Sequence, residues 1–404
     1  MITAKGTLML IVSRQLVRTA GAASVMALGA FALVACSADP AEPEPAASGD
    51  DQCVIADEVI VGVVNEQSGP VSYAGVGPSD GAQVAIDELA ESDFFGNGTT
   101  LKLKIADMAG DIERASSEMT KMVNDPSVSV IIGPASSGPA SAVAPLVEQS
   151  KVPTVFTQAG SDGVVIGDWT FRTTPPTETY YSAGLDWLKD HGYEDAALIY
   201  DATLPTFQHL AQEGIPAFAS ERGIDIVSTQ EVQSTTQEFS SQAQVIASEN
   251  PSAVIMLITA TPSITFLNQL RDSGYEGQVL ATPSQSGQNM AAGGPNVDGI
   301  VYPVPFSPAA TSGVAASFIE RFQATFDRTP DTYNAEGYDG LMWIANAIKE
   351  VGCSTPAAIR DGLAAVGAKG FEGAQGPLTF ENGNDVRVAG TMIEWSDGAE
   401  HLAD

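Results

Sequence analysis

Two hydroxyls at a helix start are the residues of this chain best placed to do chemistry. Ser136 and Ser137 follow the apolar, β-branched run Val130-Ile131-Ile132 and its Gly133-Pro134 stop, and they precede an Ala-rich segment from Gly138 to Val147. That pattern reads as a buried parallel strand, a tight turn and a helix. A helix start presents unpaired N–H groups and the positive end of the dipole, so it suits a carboxylate or phosphate. The alternative is that one serine caps the helix and binds nothing. Other chemistry is poorly supplied. The three histidines, His191, His209 and His401, have no paired spacing, and there is no Cys-x-x-Cys, so neither a metal site nor histidine acid–base work is expected. No Gly-x-Ser-x-Gly elbow occurs. Gly75-Val76-Gly77-Pro78-Ser79-Asp80-Gly81 approaches a dinucleotide fingerprint, but its spacing is off by one and it lies well past the strand. No cofactor is implied.

The elements that must position the serines alternate. Val59–Val64 reads as a strand, followed by a polar loop, Asn65–Gly75, that contains Tyr73. Gly81–Leu89 reads as a helix, Leu101–Ile105 as a strand, a helix opens at Asp111, and Val152–Thr157 is a strand leading into Gln158-Ala159-Gly160-Ser161. Strand alternating with helix implies a parallel sheet covered on both faces. Phe171–Pro176 breaks the rhythm, and a second α/β series runs from Glu178 to Ala281. Val297–Phe306 is extended, three helices occupy 313–366, and the tail reads as a hairpin turning at Asn382-Gly383. The fold class is therefore α/β, with two Rossmann-like lobes joined by a hinge of three crossings near 173–176, 302–305 and 371–376. Lobe I is 54–173 with 305–372, and lobe II is 174–304 with 373–404.

Composition bounds the partners. The 404 residues carry a formal net charge of −32, which becomes −35 without the first 35 residues, since these hold Lys5, Arg14 and Arg18 and no acid. Nucleic acid and anionic lipid are excluded, because both need basic patches. The bland account of the acidity is that it keeps an exported protein soluble. Residues 1–35 read as a secretory signal whose apolar run, Ala20–Ala35, is short for a membrane span. It ends in Leu33-Val34-Ala35-Cys36, which resembles a bacterial lipobox with Cys36 as the lipidated residue; the alternative is an ordinary signal with a chance cysteine. Residues 36–53 read as a flexible tether rich in Pro, Ala, Glu and Asp. An exported chain whose remaining cysteines are Cys53 and Cys353 is a candidate for one disulfide between them, with two free thiols as the alternative.

At this point the chain resembles the type I solute-binding proteins of ABC importers, in the branched-chain amino-acid group. The likeness runs over nearly all of residues 57–397. It is carried by Gln67-Ser68-Gly69-Pro70 with Gly81-Ala82-Gln83-Val84-Ala85, by Val130–Gly138, and by Val152-Pro153, Phe171-Arg172-Thr173, Tyr200-Asp201, Tyr338-Asp339 and Gly376-Pro377-Leu378-Thr379-Phe380. The resemblance implies a type I periplasmic binding protein fold and no enzymatic activity. It implies a monomer that traps a small solute between its lobes and delivers it to permease subunits, touching the membrane only through the lipid anchor. The ligand-carboxylate serine falls on Ser137, beside Ser136. The segment supplying a backbone carbonyl for the amino group falls on Gln158, Ala159 and Gly160; the usual Thr or Ser is Gly160, with Ser161 following. In lobe II the covering Tyr falls near Leu204, and Thr261 and Ser284 are further contact positions. The acid that pairs an α-ammonium falls near Pro283-Ser284-Gln285, where no acid stands. Gln158 and Gln285 would suit an amide, an organic acid or an aromatic acid. Tyr73 would cover the apolar part of the ligand or pack on its own lobe. A sensing protein that feeds a receptor is the rival within the same fold; it calls for a span or signalling domain after the lobes.

Overall fold

The computed structural model describes residues 53–69, 71–309, 313–388 and 390–403. The signal segment, the lipidation expected at Cys36 and the tether up to residue 52 lie outside them. The chain opens with β1 (Glu58–Asn65), α1 (Ser72–Glu91), β2 (Thr100–Asp107), α2 (Ile112–Val123), β3 (Val128–Ile132), α3 (Ser137–Ser150), β4 (Thr154–Phe156) and β5 (Thr170–Arg172). It continues with α4 (Thr177–Asp190), β6 (Asp195–Asp201), α5 (Pro205–His209), α6 (Ile215–Arg222), β7 (Asp225–Val232), α7 (Ser240–Glu249), β8 (Ala253–Leu257), α8 (Ala260–Asp272), β9 (Gln278–Leu280) and β10 (Ile300–Val304). Then come α9 (Gly313–Phe326), α10 (Thr332–Val351), α11 (Pro356–Lys369), β11 (Phe371–Gly373), β12 (Gly376–Glu381), β13 (Asp385–Arg387), β14 (Thr391–Ser396) and β15 (Ala399–Leu402).

These strands form two mostly parallel sheets, ordered β11-β12-β13-β5-β4-β3-β1-β2 and β15-β14-β10-β9-β8-β6-β7. Each is buried on both faces, as continuous apolar strands require. On β1 and β3, Val61, Val63, Val130 and Ile132 face one core while Val64 and Ile131 face the other. On β6 and β8, Ile199 and Met256 face one side of the second sheet while Leu198 and Ile255 face the opposite side. Such a buried side chain contributes about 1.5–3 kcal/mol, so each sheet is held by its two covering layers rather than by its ladder alone. Phe318, Phe322, Tyr338 and Trp343 of α9 and α10 share the core of Val61 and Val63, so these helices pack on the first lobe.

The chain passes between sheets after β5, after β10 and, for the last time, between β13 and β14. The third crossing therefore differs from the expectation of 371–376. Residues 376–387 remain with the first sheet, because β13 pairs with β5 and Arg172 of β5 ion-pairs with Asp385 at 2.7 Å. The Asn382-Gly383 turn joins β12 to β13, and a separate hairpin, β14–β15, edges the second sheet. Cys53 and Cys353 are disulfide-bonded, with Cα atoms 5.3 Å apart, at the edge of the first lobe before β1 and after α10.

The helix expected over Gly81–Leu89 begins at Ser72. Glycines that read as loop are instead the contact stripe of a close helix crossing. A Cβ on Gly81 would lie 1.8 Å from the Asn334 carbonyl oxygen of α10, and one on Gly77 would lie 2.6 Å from Cβ of Tyr333. The missing side chains let the two backbones touch, and this brings the first turn of α1 against the first turn of α10.

Candidate functional site

The site begins at the carboxyl ends of β1, β3 and β4, which are neighbours in the sheet. Ser136 is the N-cap of α3 and Ser137 its first helical residue. The Ser136 side chain makes no capping bond; its backbone N–H donates to Oε1 of Glu66 at 3.1 Å. Glu66 directly follows β1 and is fully buried. Thus the first donor of α3 is already taken by a carboxyl of this chain. Burial pushes that carboxyl above its usual range, opposed by the Ser136 hydroxyl and by nearby backbone N–H groups. Ser137 Oγ accepts from the Ser161 N–H at 3.2 Å, which leaves its own proton free to donate.

After β4 the chain turns along the hinge. Gln158 Nε2 donates to Oε1 of Glu336, on α10, at 3.3 Å. Glu336 is fully buried and its carboxyl is raised well above the usual range by that burial, with the Thr174 hydroxyl opposing. The carbonyls of this stretch are engaged elsewhere. Those of Ala159 and Ser161 accept from Nη1 of Arg172 at 3.2 and 3.1 Å, and that of Gly160 accepts from the Thr177 N–H at 2.9 Å. Of the carbonyls expected to meet a solute's amino group, those of Ala159 and Gly160 each already accept one hydrogen bond within the hinge. Gly160 has its own reason: a Cβ there would lie 2.3 Å from Thr177 Oγ1, so Thr or Ser does not fit against α4.

Tyr73 stands in the first turn of α1, half-buried, with its ring edge-on to Tyr333 at 5.5 Å. Burial and the Glu66 carboxyl push its hydroxyl up to about 12. Tyr333 donates to the Pro283 carbonyl at 3.4 Å, a bond between lobes. The hydroxyls of Ser161 and Thr206 make a second one. Between the lobes lies a cleft of about 400 Å³, lined by Ser137, Gly160 and Ser161 on one side and by Thr177, Pro205 and Thr206 on the other.

Of the expected positions, Ser137, Gly160 and Ser161 thus share this cleft, Ser136 and Gln158 flank it, and Ala159 lies buried behind it. Leu204 is the half-buried N-cap of α5, and its neighbours Pro205 and Thr206 line the cleft. Thr261, in the first turn of α8, is exposed. The Ser284 hydroxyl is turned into its own turn, bonded to Thr282 at 2.6 Å. Gln285 is fully buried, takes the Thr282 N–H on Oε1, and donates to Ile258 and Ser263, so it is a structural cap with nothing to offer a solute. Glu66, Glu336, Tyr333 and Thr206 were not singled out from the sequence. A signal existed for Glu336, an acid set among Ala335, Gly337 and Tyr338 in the first half of a helix that runs on into Leu341-Met342-Trp343-Ile344. Glu66 stands immediately after a buried strand, where a polar residue belongs to the ligand face of a parallel sheet. Among the described residues, no cluster of His, Cys, Asp and Glu is arranged to hold a metal, and no helix is long and apolar enough to cross a membrane.

Two sheets that share three crossings and meet at their strands' carboxyl ends define a two-lobed binding fold. The chain belongs to the periplasmic binding protein family, whose model matches residues 58–399. A Leu/Ile/Val-binding protein homolog 7 of Brucella abortus is 25% identical over 365 residues, covering 84% of this chain and 90% of that relative. Among solved structures, the branched-chain amino acid transporter substrate binding protein LivJ of Streptococcus pneumoniae, in complex with isoleucine, matches with a TM-score of 0.77 at 22% identity, over 86% of this chain and 99% of that one. An ABC transporter solute binding protein of R. palustris, in complex with benzoate, matches with a TM-score of 0.77 at 20% identity, over 85% of this chain and 95% of that one. These likenesses define the fold as that of type I periplasmic binding proteins. The family and its solved neighbours are binding proteins, not enzymes.

Proposed function

We propose that this chain is the extracytoplasmic solute-binding component of an ABC importer, held to the membrane by a lipid on Cys36, and that it captures a small polar solute between its lobes and hands it to permease subunits. The solute class is a branched-chain or related amino acid, an amide or an organic acid. The observation that carries this reading is the cleft of about 400 Å³ in which Ser137, Gly160 and Ser161 face Thr206 across the lobe boundary. Its volume suits one small molecule, and its walls mix hydroxyls with apolar surface. Opening about the three crossings would admit a solute, and closing would bury it.

A ligand that binds only the folded state raises stability by about 2.7 kcal/mol at a hundredfold excess over Kd. A thermal-shift screen of the mature chain against amino acids, amides and organic acids should therefore find a compound that raises Tm by several degrees. A flat response across all three classes removes the proposal. Anchoring is read separately: the wild type should fractionate with membranes and Cys36→Ala should not.

A further inference from the structure

We propose that Glu66 and Glu336 are ligand-binding residues, and that the group they take is the solute's nitrogen cation, an ammonium or guanidinium. This rests on the reading of the interlobe space as a solute site. Each acid uses one oxygen within the protein and leaves the other without a hydrogen-bond partner. Glu66 spends Oε1 on the Ser136 N–H, and Glu336 spends Oε1 on Gln158. Oε2 of Glu66, Oε2 of Glu336 and Oε1 of Gln158 have no partner, although both glutamates are fully buried.

The three unpartnered acceptors belong to one region. Glu66 follows β1, Gln158 follows β4, and Glu336 lies one turn after Tyr333 on α10. Glu66 lies against the first turn of α1, where a Cβ on Gly75 would come within 2.4 Å of its carbonyl oxygen; that turn carries Tyr73, whose ring is in edge contact with Tyr333. The acids therefore flank one aromatic pair, which lobe II closes over through the Pro283 carbonyl. A buried acceptor without a donor carries its full desolvation cost. A nitrogen cation supplies several N–H donors at once, and tyrosine faces favour it as well. A carboxylate supplies none and would meet two carboxyl groups. The buried cation nearby cannot answer for a ligand, since Arg172 is committed to Asp385 and to the carbonyls of Ala159 and Ser161. Both acids are raised in pKa by burial, as expected of carboxyls that lack a countercharge until one arrives. The ammonium partner missing near Pro283-Ser284-Gln285 would thus come from the opposite lobe.

The test uses the mature chain and matched probes: leucine, leucinamide, isoamylamine and methylguanidine against the nitrogen-free acids 4-methylpentanoate and benzoate. Nitrogen-bearing probes should raise Tm, and the two acids should not. By calorimetry, Glu336→Gln and Glu66→Gln should each weaken the best nitrogen probe at least 10-fold. If 4-methylpentanoate or benzoate is the stronger ligand, or if the nitrogen probe binds both variants as it binds wild type, this inference falls while the solute reading stands. No shift with any probe removes both. Should a variant fail to fold, the wild-type comparison of nitrogen-bearing with nitrogen-free probes still decides.

Discussion

The Ser137 hydroxyl accepts from Ser161, which leaves its own proton free to donate, whereas the capping position belongs to Ser136. Ser137→Ala should therefore weaken ligand binding about 10- to 100-fold, the range of one hydrogen bond to a charged partner, with little change in Tm. Calorimetry beside a melting curve separates the two, because a cap would move both. Gly160 makes the converse case. Gly160→Ser drives a Cβ into Thr177 Oγ1 and should cost about 1–3 kcal/mol, read by urea denaturation. Thr177→Ala in the same chain should recover most of it, since it removes the atom in the way. The place of Ser137 at a helix start in the cleft was legible because a strand, a Gly-Pro stop and an Ala-rich run mark such a start locally. Glu66 was not, because an acid in Asn65-Glu66-Gln67 reads as a solvated loop until the fold buries it.

Most strands and most helices declared themselves at the level of elements, although β5 and β11 read as hinge and β15 was not read at all. The start of α1 did not, because glycine and proline carry the same letters in a loop as in a close helix crossing. Gly81→Ala tests that reading. The substitution gains about 1 kcal/mol in helix propensity. It also puts a methyl 1.8 Å from a backbone oxygen of α10, where neither side can yield without parting the helices, so a net loss of about 2 kcal/mol is expected in denaturant titration. The third crossing was misplaced for a related reason: a strand alternates in the same way whichever sheet takes it, and Asp385 pairing with Arg172 is not a local signal. Asp339 ties α10 to the turn between β11 and β12 by accepting from the Ala374 and Gln375 N–H groups at 2.6 and 3.0 Å. Burial pushes its carboxyl from 3.8 up to about 6. Below pH 4 the carboxyl is protonated whether the chain is folded or not, and its contribution is whole. Between pH 4 and 6 the folded state holds a proton that the unfolded chain has released, so stability should fall as pH rises, by about 3 kcal/mol in all. Unfolding free energies at pH 4, 5, 6 and 7 should fall by about 3 kcal/mol less in Asp339→Asn than in wild type, whatever the absolute stability of the variant, the remaining fall belonging to the other buried carboxyls such as Asp331.

Taken whole, the molecule is two sheets sharing three crossings, with one covalent link across a sequence separation of 300 residues. A bond closing so long a loop contributes about 5 kcal/mol by restricting the unfolded chain. Cys53→Ser with Cys353→Ser should lower the urea midpoint accordingly and leave ligand affinity unchanged, because the bond sits at the edge of the first lobe while the cleft lies at the strands' carboxyl ends. That position has a mechanical consequence. Tension arriving from residues before Cys53 meets the covalent link before it reaches β1. The load passes sideways into the end of α10 and the start of α11, rather than peeling β1 from between β2 and β3. A protein pulled by its N-terminal end would be gripped by its helical flank, with the first strand of its first lobe unloaded.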